Sequence, residues 1–287
     1  MNCCLGCAND CLYCYAAANA ARFKRRDRHQ WRREEIRLPE WAAENVARAP
    51  RYAGRVMFPT AHDLTAGTLD ACAATLRALL ASGNDVLFVS KADPVLVRWL
   101  AIGVGAGEPT WPWLAAHRPE LRVSIGSPRE SVLRFWEPRA PTYGQRLEAL
   151  AVAGGFGWPT SVSAEPLLDA DHAAELVADV APLVRADPPG RGGEIWIGKA
   201  NHLARRAAWA RPHTPNLDMN IFYTERHQAD DDAAATYDAL IALGPEIAAK
   251  LRWKDSYRAA LIRAGRLPAD PRKDPNAKGP HHGDPEP

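Results

Sequence analysis

The alternation of short apolar runs with helical stretches constrains the fold of this chain more than any other feature. The runs cover residues 55–61, 85–91, 121–127, 160–166 and 194–200. Between them, residues 69–80, 146–153 and 173–184 carry apolar side chains at helical spacing. Continuous apolar centres, such as residues 86–89, are typical of strands that are buried on both faces. The alternation predicts an α/β fold in which βα units surround a parallel sheet.

Cysteines cluster at the start of the chain, where five of the six lie within the first 14 residues. Cys7, Cys11 and Cys14 have the spacing C-x3-C-x2-C, with Tyr13 directly before the last. A structural zinc site usually has four protein ligands, whereas an iron–sulfur cluster held by three thiolates leaves one iron free. Cys4 would complete a zinc set, but zinc ribbons separate their two pairs by about 15–20 residues. The spacing therefore favours a cluster over zinc or a disulfide framework.

The same three cysteines resemble the signature of the radical S-adenosylmethionine (SAM) superfamily, C-x3-C-x-aromatic-C. The resemblance implies a [4Fe–4S] cluster on Cys7, Cys11 and Cys14, with SAM bound to the open iron and Tyr13 beside it. It implies reductive cleavage of SAM to methionine and a 5′-deoxyadenosyl radical that takes hydrogen from a substrate. It also implies an electron donor of the flavodoxin or ferredoxin type.

The resemblance further implies a partial (β/α)6 barrel with C-terminal helices. A strand just before Cys7 would supply the sixth unit, although only six residues precede that cysteine. We therefore expect the native chain to start upstream of Met1. A helix is expected to follow the cysteines, from near Tyr15 to near His29.

Three segments are expected along the chain. Residues 1–225 would form the radical SAM core. Residues 226–266 carry two helical stretches, which we interpret as a C-terminal helical extension. Residues 267–287 are rich in proline and charge, which predicts a disordered tail.

Polar residues follow the predicted strands, at the ends where function collects in parallel barrels. They are His62, Asp63, Ser90, Lys91, Ser124, Ser127, Glu165, Lys199 and Asn201. Helix capping is the simpler interpretation of Asp63 and Asn201. Lys91 and Lys199 follow two apolar strands, which indicates a shared anionic ligand. Lys91, Glu165 and Lys199 are therefore our candidate catalytic residues.

Residues 135–141 and 146–150 resemble the region after the fourth strand in the spore-photoproduct-lyase-like branch of radical SAM proteins. That resemblance implies SAM contacts from Lys91, Ser124 and Ser127. The Gly-Gly-Glu motif that often binds the SAM amine is replaced by residues 59–63, Pro-Thr-Ala-His-Asp, which makes Thr60 a candidate. The cysteine that donates hydrogen in the lyase branch has no counterpart in residues 56–64, so photoproduct repair is not expected.

The remaining features carry less functional information. Cys3 and Cys4 are interpreted as small apolar residues beside the cluster, and Cys72 as part of a helical core face. The net charge of +2, and the acidic residues Asp27, Glu34 and Glu35 in and beside the basic run at 22–33, do not favour a nucleic-acid substrate, although one stays possible. No apolar run reaches the roughly 20 residues that span a bilayer. Free thiols predict a reducing cytoplasm.

Two classes of function stay open at this point. The first is a SAM-dependent radical enzyme with an unidentified substrate, including a lyase-like enzyme that modifies or repairs nucleic acid. The second is a non-catalytic iron–sulfur or zinc protein. Polar strand ends favour the enzyme, because a purely structural metal needs neither an open ligand position nor a polar barrel mouth.

Overall fold

The computed structural model describes residues 1–43, 49–102, 118–188 and 190–268. Within these ranges, eight strands form one two-stranded antiparallel sheet and one six-stranded parallel sheet. The strands are β1 Cys4–Leu5, β2 Glu35–Ile36, β3 Val56–Phe58, β4 Val86–Ser90, β5 Glu120–Ser124, β6 Thr160–Ala164, β7 Ile195–Ile197 and β8 Leu251–Trp253.

Helices connect the strands of the large sheet. Those of the first half are α1 Tyr15–Arg22, α2 Arg28–Trp31, α3 Glu40–Ala43, α4 Leu69–Ala81, α5 Pro94–Ile102, α6 Glu130–Trp136 and α7 Tyr143–Gly155. Those of the second half are α8 Ala173–Val180, α9 Leu203–Ala207, α10 Leu217–Arg226, α11 Asp230–Ile241, α12 Pro245–Ala248 and α13 Asp255–Arg263, with a 3-10 turn at Ala208–His213.

The large sheet confirms the predicted fold class. Its strands lie in the order β3-β4-β5-β6-β7-β8, and each neighbouring pair is parallel. Crossovers between parallel strands are right-handed in nearly all proteins, and right-handed crossovers between strands in sequential order place the connecting helices on one face, as in an open (β/α) barrel. Side chains such as Phe88, Leu121, Val162 and Ile195 are fully buried in the core that the sheet shares with these helices.

The sixth strand of the sheet is not the one that the sequence suggested. The short strand before the cysteines, β1, pairs antiparallel with β2 and stands apart from the parallel sheet. The sixth place is taken by β8, which pairs with β7 and lies in the segment expected to be helical. It is only three residues long, and Lys250, Arg252 and Lys254 surround its apolar positions. No continuous apolar run therefore marks it in the sequence.

Helix boundaries differ most after the cysteines. The expected single helix is broken: α1 ends at Arg22, and Lys24 takes a left-handed backbone conformation with φ 51°. A second helix then starts behind Asp27, whose side chain accepts from Gln30 N while the Gln30 side chain accepts from Asp27 N. This capping box explains the restart, because it satisfies amide groups that a new helix leaves free.

The end of the chain packs on the sheet as well. Helix α11 contacts both α8 and α13, and Leu240 and Leu261 are fully buried. Most of the predicted disordered tail, residues 269–287, lies outside the described residues. Within the described ranges, no helix combines the length and the apolar character needed to cross a membrane.

Candidate active site

A cavity of about 350 Å³ opens at the carboxyl ends of the parallel strands. This volume is in the range of small-molecule sites, which is roughly 300–1,000 Å³. Eleven of the residues singled out in the sequence line it: Cys7, Cys11, Tyr13, Cys14, Thr60, His62, Asp63, Ser90, Lys91, Ser124 and Glu165. Arg206, which the sequence did not single out, also lines it. The fold thus brings most of the predicted cysteines and strand-end groups to one place.

The three cysteines occupy a protected wall of this cavity. Cys7 and Cys11 are buried, and Cys14 is half-buried at the start of α1, where its sulfur accepts from Ala17 N at 3.4 Å. Burial raises the pKa of all three thiols, while the amides of Ala17 and Ala16 act in the opposite direction at Cys14. The amino end of a helix favours negative charge, so Cys14 is placed to become a thiolate ligand.

The loop that carries the cysteines is held from several sides. Cys7 N donates to Trp31 O at 2.9 Å, and Leu12 N donates to Trp136 O at 2.8 Å. The Arg28 guanidinium donates to both carboxylate oxygens of Asp10, at 3.0 and 2.9 Å. Two-point contacts of this kind fix orientation as well as distance. The second helix, which sequence reasoning merged with the first, is therefore what anchors the loop.

Asp63 joins this loop to two strand ends. Its buried carboxylate accepts from Asn9 Nδ2 at 2.8 Å, from the Ser90 hydroxyl and from Lys91 N at 3.1 Å. The capping interpretation of Asp63 is wrong, because Thr68 precedes the first residue of α4. Asn201 is likewise not the cap, since His202 occupies that position before α9. Asp63 instead fixes the backbone from which Lys91 enters the cavity.

A buried network of opposite charges lies under the cavity. Glu137 contacts the Tyr13 hydroxyl and the Arg146 guanidinium, and Lys91 Nζ lies 3.9 Å from Glu137 Oε1. Lys91 Nζ also lies 5.8 Å from the centre of the Tyr13 ring. Burial alone would raise the pKa of Glu137, but Arg146 and Lys91 hold it below its usual range. Burial would lower the pKa of Lys91, but its interactions with Cys11, Tyr13, Glu137 and Asp63 raise it well above its usual value.

Sequence reasoning missed Glu137 and Arg146 as site residues, although both lie in the segments that resemble the lyase branch. Arg146 is fully buried and donates to Ser124 O at 3.0 Å and to Pro141 O at 2.9 Å. The sequence signal that could have revealed Arg146 was a charged residue on a helix face that is otherwise apolar. Its charge is tolerated because Glu137 faces it.

The other rim residues have specific partners. Thr60 Oγ1 accepts from Asn2 Nδ2 at 2.9 Å, and Thr60 O accepts from the Tyr15 hydroxyl. Glu165 forms an ion pair with Lys254 at 3.0 Å, and that lysine lies 5.1 Å from the centre of the Trp196 ring. Lys254 directly follows β8, so it was missed together with that strand. The ion-pair partner of Glu165 is therefore the residue that directly follows the sixth strand of the sheet.

Two predicted residues do not reach the cavity lining. Ser127 is fully buried and donates to Asp169 Oδ2 at 3.0 Å while accepting from Arg129 N at 2.9 Å. Lys199 is half-buried, and burial lowers its pKa, although the charge of Asp230 partly opposes this. The structure therefore does not bring Lys91 and Lys199 together around one cavity.

The architecture has counterparts among solved structures. A cysteine-to-serine mutant of spore photoproduct lyase superposes with a TM-score of 0.50 at 16% identity, over 75% of this chain and 61% of the lyase. The chain shares the fold of spore photoproduct lyase. A double mutant of that lyase with bound AdoMet and dinucleoside spore photoproduct gives a TM-score of 0.49 at 17% identity, with the same coverage.

The chain spans about three-fifths of the length of the spore photoproduct lyases that it matches. No family model and no curated protein sequence matches it. The likeness to the lyase is therefore one of fold, and function has to be argued from the cavity.

Proposed function

We propose that the protein is a radical SAM enzyme that uses Cys7, Cys11 and Cys14 to hold a [4Fe–4S] cluster. One observation carries the proposal: the three motif cysteines and the strand-end groups Lys91 and Thr60 line a single cavity. The cavity lies at the carboxyl ends of a parallel (β/α) sheet, which is where such folds place their chemistry. The SAM molecule would occupy the space beside the three cysteines.

The cysteine environment fits a cluster with three protein ligands. The neighbouring thiol that could complete a four-cysteine zinc site, Cys4, does not belong to the cavity lining. Its sulfur instead donates to Leu5 O at 3.6 Å and to Gly6 O at 3.8 Å, and burial raises its pKa to about 12. This supports an open fourth position at the cluster.

When bound, the cluster supplies an electron that cleaves SAM to methionine and a 5′-deoxyadenosyl radical, which abstracts hydrogen from the substrate. The residues of this chain would position the reactants. The cationic groups of Lys91 and Arg206 line the same cavity and can pair with the carboxylate of SAM. Thr60 O and the Glu165 carboxylate are acceptors for its amine or ribose groups.

The buried network keeps these groups in place. Glu137 holds Tyr13 and Lys91 from below, so the cavity wall carries a fixed positive charge beside the cysteines. Asp63 fixes the Lys91 backbone and the Asn9 side chain in the cysteine loop. Preorganised charges of this kind stabilise a bound anion without rearrangement during the reaction.

The thiols of the cavity argue against photoproduct repair. Among the described residues that line it, the thiols are Cys7, Cys11 and Cys14, all assigned to the cluster. A reaction that needs a further cysteine as hydrogen donor has no such group here. We therefore infer hydrogen abstraction from a different, still unidentified substrate.

The test is reductive cleavage of SAM. The protein is reconstituted anaerobically with iron and sulfide, mixed with SAM and dithionite, and assayed for 5′-deoxyadenosine by mass spectrometry. We expect 5′-deoxyadenosine from the wild type and from the Cys4→Ser control, and none from Cys7→Ser, Cys11→Ser or Cys14→Ser. Protein with a complete [4Fe–4S] cluster that leaves SAM intact would falsify the proposal.

The same assay can reveal the substrate class. Candidate compounds labelled with deuterium are added, because a substrate that donates hydrogen to the 5′-deoxyadenosyl radical transfers its label to 5′-deoxyadenosine. A flavodoxin or ferredoxin then replaces dithionite to test the proposed electron donor. Transfer of deuterium from one class of compound into 5′-deoxyadenosine identifies the substrate class.

A further inference from the structure

A second group of metal-binding side chains lies directly behind the cavity. Cys3, His62 and Cys72 are all buried, and one ligand atom from each lies within 4.8 Å of the other two. Cys3 Sγ is 3.9 Å from Cys72 Sγ and 3.5 Å from His62 Nε2. These residues come from the N-terminal segment, the loop after β3 and helix α4. We propose that Cys3, His62 and Cys72 bind a zinc ion.

Two of the three separations match the edges of a tetrahedral site. With zinc–sulfur bonds of about 2.3 Å and zinc–nitrogen bonds of about 2.1 Å, neighbouring ligand atoms lie roughly 3.6–3.8 Å apart. The observed separations of 3.9 and 3.5 Å need only small shifts to reach that geometry, and the ligand atoms of Cys72 and His62, which lie within 4.8 Å of each other, would draw together on binding. Two thiolates and one imidazole are a ligand set that suits zinc.

The histidine is oriented as a metal ligand. His62 Nδ1 lies 3.1 Å from Asp63 O, and a carbonyl oxygen only accepts, so Nδ1 carries the proton. This leaves the lone pair of Nε2 directed towards Cys3, the arrangement in which a backbone carbonyl supports a zinc-bound histidine. Without metal, Cys3 N donates to Nε2 at 3.1 Å. Zinc binding exchanges that hydrogen bond for a bond to the ion.

Charge balance explains how such a site can exist in the core. Two thiolates cancel the charge of Zn²⁺, and the histidine stays neutral, so the assembled site has no net charge to bury. Its surroundings are apolar: the Phe58 ring meets the His62 ring at 6.1 Å, and Leu76 and Leu69 belong to the same buried cluster. A neutral zinc complex is compatible with this environment, whereas a lone thiolate pair is not.

A buried hydroxyl group lies beside the three proposed ligands. Thr75 is fully buried and interacts with the Cys3 thiol, but its hydroxyl oxygen makes no hydrogen bond of ordinary geometry to a described residue. An unsatisfied buried hydroxyl calls for an explanation. In the zinc site it can hydrogen-bond to a thiolate ligand or to a water molecule on the ion.

The site would brace the active-site wall independently of SAM chemistry. His62 is adjacent to Asp63, which holds Asn9 in the cysteine loop and the backbone of Lys91. An ion on His62 also ties the N-terminal segment to α4 through Cys3 and Cys72. This inference goes beyond the proposed radical reaction, because zinc can bind here whether or not SAM is cleaved.

The decisive experiment identifies the atoms around zinc in the complete, iron-loaded protein. The full chain is reconstituted with iron and sulfide so that Cys7, Cys11 and Cys14 are occupied, given Zn²⁺, and passed over a column with a chelator. Zinc content and zinc K-edge X-ray absorption are then measured, because the latter reports zinc separately from iron. We expect about one retained zinc per chain with two sulfur ligands and an imidazole nitrogen.

A matched pair of variants locates the ion. Cys72→Ser should lower zinc affinity more than the roughly 10–100-fold that loss of an outer partner costs, and zinc should no longer raise the melting temperature. Cys4→Ser, a neighbouring buried cysteine outside the group, should retain zinc and its stabilisation.

Three results of the zinc measurements would overturn the site. They are wild-type protein that retains no zinc, zinc without sulfur ligands, and Cys72→Ser protein that binds zinc as tightly as the wild type. A disulfide between Cys3 and Cys72 in freshly purified protein, found by mass spectrometry, would count against it equally. If Cys72→Ser fails to fold, the absorption spectrum of the wild type decides alone.

Discussion

Each end of the large sheet buries a carboxylate against cationic side chains, but the two charge networks have different roles. At the amino end, the fully buried Glu120 accepts from Arg55, Arg122, Ser161 and Gly192 N, with distances of 2.7 and 3.0 Å to the two arginines. All of these donors belong to the protein, so the carboxylate is satisfied from within. We interpret this end as a structural clamp on the strands.

At the carboxyl end, Glu137 holds Arg146, Tyr13 and Lys91 in a similar way. Here, however, the network borders an open cavity that also contains Cys11 and the other motif cysteines. Lys91 is only loosely paired, at 3.9 Å from Glu137, and so keeps donors for a ligand. Buried charge alone therefore does not mark a functional site. The combination of buried charge with a cavity and unused donors does.

The largest expected effect is on cluster binding and SAM cleavage. Cys11→Ser removes a predicted iron ligand at the carboxyl end, so cluster iron and 5′-deoxyadenosine should fall to background. Glu120→Gln keeps the shape of the side chain at the amino end and should leave the 5′-deoxyadenosine formed per cluster unchanged. Iron analysis and mass spectrometry measure both. Loss of SAM cleavage in Glu120→Gln protein with a full cluster would contradict the division between the two ends.

The next largest effect is on stability, and we expect it at the amino end of the sheet. Glu120→Ala leaves Arg55 and Arg122 without their shared carboxylate, and breaking a buried pair in this way costs about 3–5 kcal/mol of unfolding free energy. Urea unfolding followed by circular dichroism measures the loss. The matched control is Glu246→Ala on the exposed surface of α12, which should change stability by no more than about 0.5 kcal/mol. Similar losses of unfolding free energy in both variants would contradict a structural role for Glu120 at the amino end.

Metal binding at the carboxyl end should depend on pH. Burial raises the pKa of the Cys7, Cys11 and Cys14 thiols, so they hold their protons near neutral pH and must release them to bind iron. Iron affinity should therefore rise as pH rises, by about tenfold per pH unit for each proton released. Competition with a chelator from about pH 6.5 to about pH 8.5 measures this. A Cys72→Ser background keeps the second cysteine group from contributing, and a flat profile would contradict the assignment.

The smallest effect separates two lysines that look alike in the sequence. Lys91→Met removes a charged donor from the cavity and should weaken SAM binding about tenfold, as expected for one hydrogen bond to a charged group. Lys199→Met, the matched control outside the cavity lining, should leave the affinity unchanged. Equilibrium binding of SAM to the iron-loaded protein compares them. Equal losses would mean that Lys199 reaches the ligand after all.

Local patterns were sufficient to predict the repeating part of the fold. Four of the six parallel strands fall inside the apolar runs and a fifth, β5, begins one residue before its run, because strands buried on both faces need continuous apolar residues. Helix α4 was predicted to within one residue at its end, whereas α7 starts three residues earlier than its apolar pattern. There the Thr142 side chain and Gln145 form a capping box that extends the helix beyond its buried face.

Other parts depend on contacts between distant segments. Glu137 and Lys91 are 46 positions apart in the sequence, and neither one shows from its neighbours that it lies beside the other. Strand β8 is too short and too charged to stand out, and with it Lys254 was missed as the partner of Glu165. Cys3 was interpreted as an apolar residue until the fold placed it beside Cys72.

By itself, the sequence determined the βα repeat and the cysteine motif, because both are encoded in the spacing of nearby residues. Only the tertiary structure decided which polar groups share a cavity, since that depends on how strands far apart in the chain align their carboxyl ends. It placed Lys91 and Glu165 in the cavity lining but not Lys199, and it assembled Cys3, His62 and Cys72 from three separate elements. Local spacing specifies elements, whereas burial and register between elements specify sites.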